Sequence, residues 1–153
     1  VVVPDAPTPS ALLPGNLILI RRDLIEDQPT PEAVAGAILA EATRGQTWDP
    51  LADLLTTAGP RATFGLLTRG QIADPVIAEY ARTFLVRDRP APEVDATLAA
   101  FTAAGLSTRP YALAVDPTGA ATLALIEADP LPGGSTAMVL DDGGWLKLGV
   151  ICG

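Results

Sequence analysis

Histidine is absent from this 153-residue sequence, and cysteine and lysine occur once each, as Cys152 and Lys147. Without an imidazole, neither a Ser-His-Asp nor a Cys-His arrangement can be assembled, and histidine-bearing zinc sites are excluded as well. A single thiol makes neither a thiolate cage nor an internal disulfide. Cys152 reads instead as a small apolar residue on a terminal strand, a common setting for free cysteine. A Ser–Lys dyad is confined to Ser135 and Lys147. The phosphate-cradling loops G-x-x-x-x-G-K-[ST] and G-x-G-x-x-G do not occur. No cofactor and no metal are therefore expected; the adjacent pair Asp141 and Asp142 falls short of a calcium ligand set and reads as turn chemistry before two glycines.

Aromatic residues make up only 5% of a chain that is 48% apolar, so leucine, alanine, valine and isoleucine must fill the core. No apolar run reaches the roughly 18 residues of a membrane-spanning helix, and no direct membrane insertion is expected. Cationic residues are also few: ten against eighteen acids give a net charge of −8. Phosphate backbones need clustered cations, which excludes nucleic acid as an expected partner.

What the chain does have is punctuation. Thr30-Pro31, Asp49-Pro50 and Asp74-Pro75 each set a capping oxygen before a proline, a helix-start signal. Gly45, Gly59 and Gly105 stand where helices should stop. These signals predict helices over 31–44, 50–58, 62–69, 75–88 and 92–104. Val34, Ile38 and Ala42 mark the inner face of the first, Ile77, Tyr80, Ala81, Phe84 and Leu85 that of the fourth, and Val94, Leu98 and Phe101 that of the last. The arginines Arg82, Arg87 and Arg89 gather near Asp88 at one helix end.

After Ser107 the apolar period shortens to two. Tyr111, Leu113 and Val115 alternate with alanines, DPTG reads as a turn, and further runs at 123–125, 136–140 and 145–152 follow. This predicts an α+β fold: N-terminal amphipathic helices packed on a C-terminal four-stranded antiparallel meander, with an additional N-terminal strand over Asn16–Ile20. The final strand is expected to turn Leu146, Leu148, Val150 and Cys152 towards the helices, and Trp145, Lys147 and Ile151 away. Ahead of the domain at 16–153, residues 1–15 (VVVPDAPTPSALLPG) read as a Pro-rich extended arm. Val1, Val2, Val3, Pro4, Pro7, Leu12 and Leu13 are its apolar contacts for a protein partner, with the two leucines as anchors.

The stretch TPEAVAGAILAEATRGQTWDPLADLLTTAGPRA resembles the opening helix pair of the nuclear transport factor 2-like (cystatin-like cone) superfamily. The closing GGSTAMVLDDGGWLKLGVICG is similar to the last hairpin of its exported bacterial members. The resemblance implies a cone fold that hosts isomerases, cyclases and many non-catalytic subunits. Catalytic members use an aspartate in an apolar cavity, often beside a tyrosine, which here makes Asp53, Asp116, Glu127, Tyr80 and Tyr111 the candidates. The resemblance, the Pro-rich lead and the start on Val1 favour a location outside the cytoplasm. Three functions follow as expectations. The first is a non-catalytic accessory or assembly subunit that binds a protein partner through its arm. The second is a small isomerase or cyclase with a carboxylate base, and the third an acidic adaptor, chaperone or immunity protein.

Overall fold

The computed structural model of the chain describes residues 1–87, 89–133 and 136–152, the last two as backbone only. Its sheet is N-terminal and small. β1 (Val2–Val3), β2 (Ser10–Leu13) and β3 (Leu17–Arg21) stand in the order β1-β3-β2. β2 and β3 form an antiparallel hairpin in register Ser10↔Ile20 and Leu13↔Leu17, while β1 lies parallel on the other side of β3. The hairpin reverses at Pro14, Gly15 and Asn16; the last two take positive φ of 84° and 59°, which glycine and asparagine tolerate best. Residues 1–15 are thus woven into the sheet.

Nine helices follow among the described residues: α1 (Asp23–Glu26), α2 (Glu32–Thr47), α3 (Pro50–Ala58), α4 (Pro60–Arg69), α5 (Asp74–Phe84), α6 (Val94–Ala104), α7 (Arg109–Val115), α8 (Leu123–Glu127) and α9 (Asp142–Cys152). The five sequence-predicted helices are present, 50–58 with the ends expected and the other four with at least one end shifted. At Asp49 the side chain accepts from Leu51 N at 2.8 Å, with Pro50 in the first turn, as the spacing predicts. Gly105 closes α6 at φ 63°, and Leu106 N donates back to the Phe101 carbonyl at 3.0 Å.

Gly45 does not stop a helix. It lies inside α2, where a Cβ would come within 2.8 Å of Leu12 Cδ2, so the glycine serves close approach of β2. The buried face of α2 also differs from the expected one. Ala33, Val34, Ala37 and Ala40 point inwards, whereas Ile38 is 43% exposed. Small residues win that face because α7 crosses close above it: a Cβ on Gly36 would sit 2.4 Å from Tyr111 Cβ and 2.9 Å from Phe101 Cζ.

The four-stranded C-terminal meander is not there; the segments expected to form it are α7, α8, α9 and connecting loops. Residues 111 and 115 are two strand repeats apart but also one helical turn apart, and the alanines between them are the strongest helix formers. DPTG is the expected turn, with Asp116 accepting from Thr118 N at 3.1 Å and Ala121 N at 2.7 Å, but it joins two helices. The DDGG stretch is a helix start: Asp141 Oδ1 accepts from Gly144 N at 2.6 Å. The last hairpin implied by the resemblance is therefore replaced by α9. On α9, Leu148 and Trp145, three residues apart, pack against the core, while Leu146 and Val150 are 71% and 78% exposed. The side chain of Cys152 lies outside the described residues, as do Asp88 and Ser135.

Two apolar clusters result. Ile20, Leu24, Ala37, Ala40, Phe101 and Tyr111 join α2, α6 and α7 to one part of the sheet. Ala11, Leu19, Leu54, Tyr80 and Phe84 join α3 and α5 to another.

Candidate functional site

The second cluster carries the arrangement with most chemical content. α3 presents Asp53 to α5, and the Tyr80 hydroxyl donates to Asp53 Oδ2 at 2.7 Å. Arg87, just past the end of α5, forms an ion pair with the same oxygen. Its guanidinium carbon stands 5.4 Å from the Tyr80 ring centroid and 5.6 Å from that of Phe84. Trp48 stacks on the Phe84 ring at 5.8 Å and 15°. Burial pushes the Tyr80 hydroxyl up to about 12, so at neutral pH it remains a donor to the carboxylate.

Beside this clamp runs an apolar groove of about 360 Å³. The hairpin supplies Leu13, Pro14, Leu17 and Leu19, and α3 and α5 supply Leu54, Ile77, Tyr80, Ala81 and Phe84. The sequence singled out Asp53 and Tyr80 separately, and the fold brings them together across 27 residues. It leaves the other candidates apart. Asp116 is half-buried and committed to its turn, Glu127 ends α8, and Tyr111 is buried against Phe101 at a centroid distance of 5.8 Å. Burial, reinforced by the Glu41 charge, raises the Tyr111 hydroxyl to about 12.

A second polar cluster, unforeseen from the sequence, underlies the hairpin. Glu41 on α2 is 2% exposed; its oxygens accept from Ser10 Oγ and Leu12 N, each at 2.9 Å, and from Arg44 Nη1 at 3.3 Å. Arg89 approaches Glu41 at 3.9 Å and donates to Thr8 Oγ1 at 2.8 Å and Ser10 O at 3.1 Å. Burial lowers the Arg89 guanidinium from its ordinary value, an effect that Glu41 opposes. The only local signal was the i,i+3 spacing of Glu41 and Arg44. The arginines read as one basic group thus have separate partners: Arg82 pairs with Glu79 at 2.5 Å, Arg87 with Asp53, and Arg89 with Glu41 and the hairpin.

The proposed arm contacts divide sharply. Val1 and Val2 are 62% and 38% exposed, and Pro4 and Pro7 are exposed, while Val3 is half-buried in β1. Leu12 lies in the core and Leu13 lines the groove, so neither leucine is a free anchor. Exposed apolar side chains appear elsewhere, on α4: Phe64 at 68% and Leu67 at 79%.

Comparison with protein-family models, with curated proteins and with solved structures finds no match. The described residues hold no group of three or more Cys, Asp or Glu side chains placed to bind a metal. No helix among them is long and apolar enough to cross a membrane.

Proposed function

We propose that this chain is a non-catalytic accessory subunit that binds a protein partner. The observation that supports it most directly is the outer face of α4. Phe64 and Leu67, three residues apart, share one side of a helix whose main packing partner is α3. Large apolar side chains set together on a surface mark interaction sites more often than isolated ones do, and Phe is enriched in interface cores. The arm contributes its exposed residues Val1, Val2, Pro4 and Pro7 as a second contact.

Cross-linking in the source cells, followed by mass spectrometry, tests this reading. The expected result is a stoichiometric partner whose cross-links map to residues 60–69 or 1–7, lost when Phe64 and Leu67 are both replaced by serine. Recovery as a free monomer, or a complex unaffected by the double replacement, rules the reading out.

A further inference from the structure

A third polar cluster joins the start of α7 to the segment after α8, with Asp129 as its buried centre, 1% exposed at the side chain. Ser107 Oγ donates to Asp129 Oδ2 at 2.7 Å, and the backbone nitrogens of Thr108 and Leu131 donate to Oδ1 at 3.1 and 3.2 Å. Arg109 Nε stands 3.3 Å from Oδ2, so the carboxylate holds the guanidinium by one edge. The Arg109 side chain is 52% exposed, and its four Nη N–H groups have no partner among the described residues.

Arg109 and Asp129 both line a cleft of about 490 Å³, within the range of about 300 to 1,000 Å³ common for ligand sites. Gln28, Thr30, Ser107 and Thr136 bring amide and hydroxyl groups to the same lining, and Pro29, Pro110, Leu113 and Leu131 bring carbon. Leu113 is 49% exposed, so this apolar surface is open to a ligand without any change in the core. An arginine held at Nε by a fixed carboxylate presents its outer N–H groups in the spacing of a two-oxygen anion. Asp129, and Glu32 bonded to Thr136 at 3.2 Å, offset the charge of Arg109, so the attraction on offer is hydrogen bonding and not net charge. A single carboxylate suits that setting and a phosphate dianion does not.

We propose that this cleft binds a small organic monocarboxylate with an apolar body, its carboxylate on the Nη groups of Arg109 and its body against Leu113 and Leu131. The site uses no residue of α4 or of residues 1–7 and does not depend on the partner reading.

Magnetic resonance titration of the isotope-labelled, unaltered chain with 3-phenylpropanoate, 3-phenylpropanamide, acetate and inorganic phosphate tests it. The expected result is one-to-one saturation by 3-phenylpropanoate with a Kd of about 1 mM or tighter, which a ligand of about eleven non-hydrogen atoms can reach. The backbone amide shifts should centre on residues 28–33, 107–113 and 129–133. The amide is expected to bind about tenfold or more weakly, since it lacks the charged hydrogen bonds, and acetate likewise for want of a body. Phosphate should give no saturable shift there. Arg109→Gln is expected to bring the acid down to the affinity of the amide. Leu113→Glu, at an exposed helix position, is expected to weaken the acid about tenfold or more through like charge and lost apolar contact, while circular dichroism shows a folded chain. No saturation at roughly ten times the expected Kd, equal affinity for acid and amide, shifts centred elsewhere, or indifference to Leu113→Glu in a folded variant each overturns the proposal. So does tighter binding of phosphate than of 3-phenylpropanoate, which would make the cleft an inorganic anion site.

Discussion

Glu41 Oε2 accepts a hydrogen bond from the backbone nitrogen of Leu12 at 2.9 Å, tying the middle of α2 to strand β2 across 29 residues. The same carboxylate faces Arg44 and Arg89, and Arg89 also donates to Thr8 Oγ1 and to the Ser10 carbonyl. Helix α2, the N-terminal sheet and the segment after α5 are thereby fixed to one another.

Removing that carboxylate leaves two nearly buried guanidiniums without their acid. Glu41→Ala is expected to cost about 3–5 kcal/mol in urea unfolding, because an unpaired buried charge carries the full desolvation penalty. Glu41→Gln should lose less, as its amide oxygen still accepts one hydrogen bond. A loss below about 1 kcal/mol for the alanine variant would show that the cluster does not hold the fold together.

Gly36 is the contact point of α2 and α7. Gly36→Ala places a methyl 2.4 Å from Tyr111 Cβ, a backbone-proximal atom that cannot swing away. The expected outcome is a destabilisation of about 1–3 kcal/mol, despite alanine's better helix propensity. A variant that melts at or above the parent temperature would mean that the helices do not cross there.

Gly149 distinguishes helix from strand at the C-terminus. It lies in α9 with no atom within 4 Å of a built Cβ, so Gly149→Ala should stabilise by about 0.5–1 kcal/mol. Asp141→Ala, which removes the Gly144 cap, should cost about 0.5–2 kcal/mol. Thermal unfolding of both variants checks the pair of opposite signs.

Tyr80 and Tyr111 are the only tyrosines and Lys147 the only lysine, so alkaline titration of this chain is unusually simple. Burial raises both hydroxyls from 10.0 to about 12. With folded values above unfolded ones, the stabilisation is complete below about pH 10 and is lost as pH rises through 12. Ultraviolet difference spectra should show no tyrosinate until the chain unfolds in that window. Tyr80→Phe and Tyr111→Phe should each remove part of the pH dependence. Titration of both groups near pH 10 in the folded chain would contradict their burial.

Phe64→Ser with Leu67→Ser should leave stability within about 0.5 kcal/mol of the parent, since both side chains face water. Equilibrium unfolding of the double variant measures this. A large loss would place them in packing instead of at a partner surface.

The helices between residues 31 and 104 and the strand after residue 15 could be read in the sequence because local rules govern them. Asp49-Pro50 caps α3 where the pair stands, Gly105 ends α6, and the NLILI run is a strand. The C-terminal third was misread because its signals serve two masters. Tyr111 and Val115 satisfy periods of two and of nearly four, and Asp141 before two glycines begins a helix as readily as it turns a hairpin. Of the candidate site, Asp53 and Tyr80 were visible as residue types, but the leucines of the hairpin and Arg87 were not visible as their neighbours.

By itself the sequence determined which chemistries were absent, since a chain without histidine or paired thiols cannot assemble their sites in any fold. It also determined both ends of α3 and the close of α6, because a cap, a proline or a closing glycine acts on its own turn. Only the tertiary structure decided which face of α2 was buried, whether Leu12 was an anchor or core, and that Asp53, Tyr80 and Arg87 share one oxygen. Those outcomes depend on how closely two backbones approach and on contacts 27 to 34 residues apart in the chain, and no local pattern encodes either.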